Sequence, residues 1–276
     1  MSLSNEISEH YTHGQLTAAI ERGVVALGKT IESIEVNDLA AVDEFHVGGR
    51  QASIEFLEQL SFTPEQHVLD VGCGLGGASR FVASHYGPRV SGIDLTAEYV
   101  DTGRHLCAWV GLDGRVSLHH GSALEMPFAD ASFDQAYMMH VGMNIQDKTG
   151  LFSEVRRVLR PGACFGVYDI MRVGSGDLSF PVPWAAVPDT SAVATPEAYK
   201  KALAAAGFVL EAERNRRTFA LEFFAQLSAG SVATGGPPPL GIHLLMGGSG
   251  PTKRRNMVEN ITKNRIAPVE MIARVK

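Results

Sequence analysis

The sequence predicts an α/β fold, in which helices cover both faces of a mostly parallel sheet and a helical segment comes first. Two observations lead to this prediction. From His67 onward, short β-branched runs alternate with amphipathic stretches, a pattern typical of a parallel sheet between helices. Before His67, apolar residues such as Leu16, Ile20 and Leu27 recur at helical spacing. The first part of the chain is therefore expected to be mainly helical.

The individual elements follow from short patterns taken in chain order. Five strands are expected, at residues 67–71, 89–94, 116–119, 135–140 and 163–170. An apolar stripe from Leu151 to Leu159 predicts a helix before the fifth strand. A further helix is expected at residues 196–206, followed by a strand at 208–214. In residues 269–275 apolar and polar residues alternate enough to predict a last strand.

These elements suggest two parts. Residues 1–64 are expected to form a helical N-terminal cover, and residues 65–276 a domain built on the sheet. An insert near residues 219–265 is rich in Gly and Pro, above all at residues 229–251. Because that stretch exceeds an ordinary connection, it is expected to be a lid or a mobile insert.

Composition narrows the function classes. The chain has 276 residues, of which 45% are hydrophobic and 20% charged, and a net charge of −6. This is an ordinary globular composition, and the negative charge disfavours nucleic-acid and anionic membrane partners. The three cysteines show neither a disulfide framework nor a metal-ligand spacing, so no metal is expected. No apolar run could span a bilayer and residues 1–10 lack the features of a secretory signal, so a cytoplasmic location is expected.

The most informative segment is a buried-strand pattern that enters a glycine loop. Gly72, Gly74 and Gly77 satisfy G-x-G-x-x-G, and Asp94 follows Gly72 by 22 residues, so an NAD-dependent oxidoreductase remains an alternative. Asp70, however, lies two residues before the first glycine, where its carboxylate would repel a dinucleotide pyrophosphate. A ligand with an ammonium group at that place fits better. S-adenosylmethionine has an amino-acid tail and no phosphate.

Two later segments complete a candidate site. Asp94 ends the second strand, where a carboxylate can accept hydrogen bonds from both hydroxyls of a ribose. Ser122 and Ala123 follow the third strand and are placed to form the wall around an adenine.

These segments, together with Phe133-Asp134 and the turn at residues 159–163, resemble the class I S-adenosylmethionine-dependent methyltransferases over residues 64–214. The resemblance implies a Rossmann-like sheet of seven strands with an antiparallel terminal hairpin. It also implies S-adenosylmethionine as cofactor and S-adenosylhomocysteine as product. Ser122 departs from the family pattern, where an acidic residue is more usual. The cofactor contacts expected by position are Asp70, Gly72, Cys73, Gly74, Asp94, Leu95, Ser122, Ala123 and His140.

The flanking segments resemble a small-molecule branch of that family, which includes sarcosine and dimethylglycine N-methyltransferases and ubiquinone and menaquinone C-methyltransferases. The similar residues are His10-Tyr11 and residues 43–50 and 138–145. The resemblance implies methyl transfer to a small molecule, either an amine such as sarcosine or dimethylglycine or a carbon of a quinone-like acceptor. A protein that binds the cofactor without catalysis is a further alternative. A homodimer is the candidate assembly.

Methyl transfer from a sulfonium is an in-line displacement, so positioning supplies much of the catalysis. His140 follows the fourth strand at the sheet edge where the methyl group should emerge, and it is the candidate proton acceptor. The alternative is that His140 is a packed residue at the strand end. The candidate substrate contacts lie outside the cofactor segments or beside His140. They are Tyr11, His46, Arg50, Asn144, Trp184 and His243.

Overall fold

The computed structural model describes residues 8–12, 14–234 and 238–276. After a helical turn at residues 8–11, the N-terminal part contains three helices. They are α1 (Leu16–Ala26), α2 (Val36–Asp43) and α3 (Gly49–Leu57), and a 3-10 turn at Glu58–Leu60 follows α3. The apolar stripe of α1 packs against α2 and the helix that follows the second strand, because Leu16, Ile20 and Val24 belong to one buried cluster with Leu39 and Leu106.

Seven strands form one mixed sheet in the order β3-β2-β1-β4-β5-β7-β6. The strands are β1 (His67–Val71), β2 (Arg89–Asp94), β3 (Val116–His120), β4 (Phe133–Met139), β5 (Leu159–Arg172), β6 (Phe208–Asn215) and β7 (Ile266–Val275). The first five strands pair in parallel, whereas β7 lies antiparallel between β5 and β6. The predicted fold class is confirmed, including the antiparallel terminal hairpin.

Helices cover both faces of this sheet. The helices after β1 are α4 (Gly77–His85), α5 (Ala97–Trp109), α6 (Lys148–Val158), α7 (Pro196–Ala205), α8 (Arg217–Thr234), α9 (His243–Met246) and α10 (Gly250–Thr262). Of these, α9 packs with α1 and α2 in one buried cluster. Because successive strand residues point to opposite faces, Leu69 packs in a cluster with α6 and α7, whereas Val68 packs with α3 and α4. The strands are thus buried on both sides, as their apolar sequence predicts.

Several boundaries differ from the predictions. Strand β4 ends at Met139, so His140 lies outside it, with a φ of 56° that no strand residue adopts. Strand β5 begins at Leu159, earlier than the predicted residue 163, because the Pro161-Gly162 turn lies within the paired segment. The rest of the predicted strand pattern agrees closely with the observed elements.

The insert near residues 219–265 is largely helical in the described residues, since α8, α9 and α10 lie there; residues 235–237 fall outside them. Ala220 and Phe224 of α8 pack in one cluster with Met257 and Ile261 of α10. The glycine and proline content of the insert therefore does not predict these helices, which are stabilised by packing against each other. A lid role for the insert stays a prediction. Across the described ranges, no helix is long and apolar enough to cross a membrane.

Candidate functional site

A cavity of about 310 Å³ lies at the carboxyl ends of the parallel strands. Residues at the ends of β1, β2 and β4 contribute Asp70, Asp94 and His140 to its wall. Tyr11 and the segment from residue 42 to 46 form the opposite wall. This edge is where open α/β sheets bind their ligands.

The glycine loop brings the backbone close to this cavity. Gly72 has a φ of 74°, and a Cβ at this position would lie 2.3 Å from Cγ2 of Val141. Only glycine fits there without displacing Val141. Gly74 also has positive φ and its N–H donates to Oδ2 of Asp94 at 2.9 Å. The loop then leads into α4, which begins at Gly77.

Asp94 is held rigidly at the cavity wall. Its Oδ2 accepts the N–H of Gly74, and its Oδ1 accepts the N–H of Thr96 at 2.8 Å. Burial raises the pKa of Asp94, and these two amides oppose that effect. Each carboxylate oxygen keeps a lone pair for a further donor. The arrangement fits a ligand with two neighbouring hydroxyls.

Asp70 is buried beneath the glycine loop, with only 2% of its surface exposed. Its Oδ2 accepts the hydroxyl of Ser79 at 2.6 Å and that of Tyr137 at 3.0 Å. Burial raises the pKa of Asp70 to about 7. A cationic group bound beside it would favour the charged carboxylate.

The other predicted cofactor residues also line this cavity: Cys73, Leu95, Ser122 and Ala123. The Ser122 hydroxyl oxygen accepts the N–H of Leu124 at 3.1 Å. Burial raises the pKa of the Cys73 thiol well above its ordinary value, so this side chain is a neutral packing group.

The charged residues of the cavity wall share one sign. They are Asp43, Glu44, Asp70, Asp94 and Asp147, and no lysine or arginine lines the cavity within the described residues. A pyrophosphate would find no cationic partner here, whereas a sulfonium and an ammonium would be attracted. The site therefore fits S-adenosylmethionine better than a nicotinamide dinucleotide.

His140 sits in the left-handed region, which is unusual for a residue with a Cβ. Its backbone N–H donates to the carbonyl of Tyr168 at 2.7 Å, which fixes the turn. Its buried Nε2 has no hydrogen-bond partner among the described residues. Burial, with a smaller effect of His46, lowers the pKa of His140 well below its ordinary value. The ring is thus a neutral imidazole whose buried Nε2 has no partner among the described residues.

A second cavity, of about 110 Å³, adjoins the first and is called the second chamber below. The two share Tyr11, Glu44, Phe45, His46 and His140. We call these five residues the junction. Apart from the junction and Arg254, the wall of the second chamber is apolar. The apolar residues of this wall are Val47, Met143, Pro183, Trp184, Phe223, Phe224, Leu227, Ile242, Met246 and Met257.

A hydrogen-bonded network supports the junction. Glu44 Oε2 lies 2.7 Å from His46 Nε2 and accepts the Ser53 hydroxyl at 2.6 Å, and Glu44 Oε1 lies 2.8 Å from Arg50 Nε. Burial opposes the charge on Glu44, but His46 and Arg50 outweigh it, and the pKa of Glu44 falls below its ordinary value. Sequence reasoning missed Glu44, although its place beside His46 in the segment 43–50 was a usable signal.

The predicted substrate residues divide into two groups. Tyr11 donates its hydroxyl to Asn144 Oδ1 at 3.3 Å, and both line the first cavity, while Trp184 lines the second chamber. Arg50 and His243 line neither cavity in the described part of the chain. Arg50 forms an ion pair with Glu44, and its Cζ lies 4.4 Å from the centroid of the Phe81 ring.

Comparison with known proteins agrees with this geometry. Residues 68–162 match the family described as methyltransferase domain. Over these residues the chain is similar to the S-adenosylmethionine-dependent methyltransferase class that the sequence predicts. S-adenosylmethionine is the cofactor of this class, and the predicted resemblance is confirmed.

Among sequence relatives of the methyltransferase domain is a probable tocopherol O-methyltransferase of Oryza sativa subsp. japonica. It is 41% identical over 123 residues, which cover 41% of this chain and 34% of that protein. A sterol 24-C-methyltransferase of Gibberella zeae is 36% identical over 110 residues, which cover 40% of this chain and 29% of that protein. The chain thus matches about a third of the length of these curated relatives.

Solved structures resemble the chain over its whole length. The geranyl diphosphate C-methyltransferase of Streptomyces coelicolor A3(2), solved with Mg²⁺, geranyl diphosphate and S-adenosylhomocysteine, superposes with a TM-score of 0.73 at 18% identity, covering 100% of this chain and 98% of that one. The cyclase SpnF superposes with a TM-score of 0.70 at 20% identity, covering 99% of this chain and 96% of that one. At these identities the likeness concerns the fold alone.

Proposed function

We propose that this protein transfers a methyl group from S-adenosylmethionine to a small molecule with a largely apolar body. The observation that carries the proposal is the charge of the first cavity, which is lined by carboxylates without a lysine or arginine among the described residues. Such a wall suits a cationic methyl donor and opposes a pyrophosphate. The NAD-dependent alternative is therefore disfavoured.

Bound S-adenosylmethionine would supply an activated methyl group on its sulfonium sulfur. Asp94 is placed to bind the ribose hydroxyls and Asp70 the ammonium group of the amino-acid tail. The junction joins the two cavities, so an acceptor in the second chamber can approach the methyl group in line. His140, which lines both cavities, is the proposed proton acceptor when the acceptor loses a proton.

The wall of the second chamber favours an apolar acceptor over sarcosine or dimethylglycine. Glu44 is the only carboxylate on that wall in the described residues, and it is already paired with Arg50. A small charged amine would lose its water without gaining a partner. Of the two acceptor classes implied by the resemblance, the apolar, quinone-like class fits this chamber better.

The first test is isothermal titration of the purified protein with S-adenosylhomocysteine and, separately, with NAD. We expect the former alone to bind. Methyl transfer from labelled S-adenosylmethionine would then be screened with a hydroquinone, a sterol, geranyl diphosphate, sarcosine and dimethylglycine. Binding of NAD alone would contradict the proposal. Cofactor binding with no methylation of any acceptor would favour a non-catalytic or cyclase-like role.

His140→Asn tests the proposed proton acceptor. Asparagine tolerates the left-handed backbone but does not accept a proton, so we expect methyl transfer to fall by about 10²-fold or more while S-adenosylhomocysteine still binds. The assay uses whichever acceptor the screen identifies, and His105→Asn on the exposed face of α5 is the matched control. Unchanged turnover in His140→Asn would rule out this role.

A further inference from the structure

The second chamber is lined by the junction residues, by ten apolar side chains and by one further polar residue. The remaining polar residue is Arg254, on α10. Arg254 is exposed and has no ion-pair partner among the described residues. A largely apolar chamber thus carries one guanidinium that has no ion-pair partner among the described residues.

We propose that the second chamber binds an acceptor that combines an apolar body with an anionic group, and that Arg254 binds the anionic group. The anionic group is a carboxylate or a phosphate, since a guanidinium binds either through paired N–H donors. This inference rests on the proposed function and adds the class of acceptor and its orientation.

The charges around the two cavities determine that orientation. The first cavity is lined by Asp70 and Asp94, which have no ion-pair partner among the described residues, and these carboxylates repel an anion when they are ionised. An amphiphilic anion is therefore favoured with its charge at Arg254 and its apolar end near the junction. This places a carbon or hydroxyl of the apolar end, rather than the anionic group, next to the methyl donor.

The neighbours of Arg254 do not compete for this role. Lys253 is buried and does not line the chamber; its Nζ lies 3.5 Å from His10 Nε2, and burial lowers its pKa. Arg255 is exposed and lines neither cavity within the described residues. Arg255 is thus a matched control for Arg254, with the same charge one residue along the same helix.

The test compares ligands that share one ten-carbon skeleton. Geranate and geranyl phosphate carry an anionic group, whereas geraniol carries a hydroxyl. Each is titrated into the protein saturated with S-adenosylhomocysteine, with isothermal titration as the readout. The chain has two tryptophans, so Trp109→Phe leaves Trp184 in the chamber wall as a second, fluorescent reporter.

We expect at least one anionic ligand to bind about tenfold or more tightly than geraniol, as a charge-assisted hydrogen bond would give. Arg254→Gln should remove that difference, and Arg255→Gln should keep it. The preferred anion, carboxylate or phosphate, distinguishes the two sources of charge. Val47→Phe, which fills the chamber, should abolish binding of all three ligands but not of S-adenosylhomocysteine.

Three results would overturn the inference: equal affinities of the anionic and neutral ligands, equal effects of the two arginine variants, or binding of neither anion. Failure of the proposed function is read separately, as a loss of S-adenosylhomocysteine binding in the unmodified protein or as absence of methyl transfer. The two proposals can therefore fail independently.

Discussion

Replacing Arg80 with methionine should lower the free energy of unfolding by about 3–5 kcal/mol at pH 8, because it leaves a buried carboxylate without its partner. The side chains of Arg80 and Asp43 are both fully buried, and Nη2 lies 2.5 Å from Oδ1. Nη1 also donates to the carbonyl of Leu75 at 2.6 Å, which ties α4 to the glycine loop.

The decrease in the free energy of unfolding that Arg80→Met causes should be smaller at pH 5 than at pH 8. Burial raises the pKa of Asp43 to about 6 even with Arg80 present, and removal of the arginine would raise it further. At low pH the Asp43 carboxyl left without Arg80 would be protonated and neutral. The free-energy cost of burying an unpaired charge is then smaller. Urea unfolding at both pH values measures the effect. Lys263→Met, which breaks an exposed pair with Glu259, is the control and should cost less than about 1 kcal/mol. Equal losses in the two variants would refute the argument.

Asp70→Asn should stabilise the folded protein above pH 7 and weaken cofactor binding by about 10- to 100-fold. The pKa of Asp70 is about 7 in the folded protein and near 3.8 in an unfolded chain. Between these values the folded state holds a proton that the unfolded state has released, so stability falls as pH rises through this interval. An asparagine removes that loss, and its oxygen can still accept the hydroxyls of Ser79 and Tyr137.

The same substitution removes the negative charge that the ammonium group of the cofactor would need. Thermal unfolding at pH 5 and pH 8 gives the stability effect, and titration with S-adenosylhomocysteine at pH 8 gives the binding effect. Asp101→Asn, on the exposed face of α5, should change neither. Wild-type affinity in Asp70→Asn would exclude Asp70 from the ammonium site.

The sequence predicted the sheet and the first cavity because both depend on local patterns. A buried strand, a glycine loop and a helix occur within a few residues, and the loop's geometry places Asp70 beside it. Asp94 could be placed at the same sheet edge as Asp70, because the carboxyl ends of neighbouring parallel strands lie side by side.

The second chamber could not be predicted in this way. Trp184, Phe224 and Met257 come from three distant segments and meet only when α8 and α10 pack against the sheet. A single aromatic residue in a sequence is more often part of a core, so none of these could be selected with its partners. The sequence predicts Trp184 as a substrate contact, but it does not distinguish Arg254 from Arg255.

Strand β7 is the last of the seven strands in the sequence, yet it pairs with β5 on one side and with β6 on the other. During synthesis, β1 to β5 can pair before β7 has been made. Until then, the edge of β5 that later pairs with β7, which includes Phe165 and Val167, has no partner strand. An unpaired apolar edge can associate with other chains before β7 arrives. Recovery of folded protein should therefore fall with the concentration of nascent or refolding chains and improve when chaperones protect that edge.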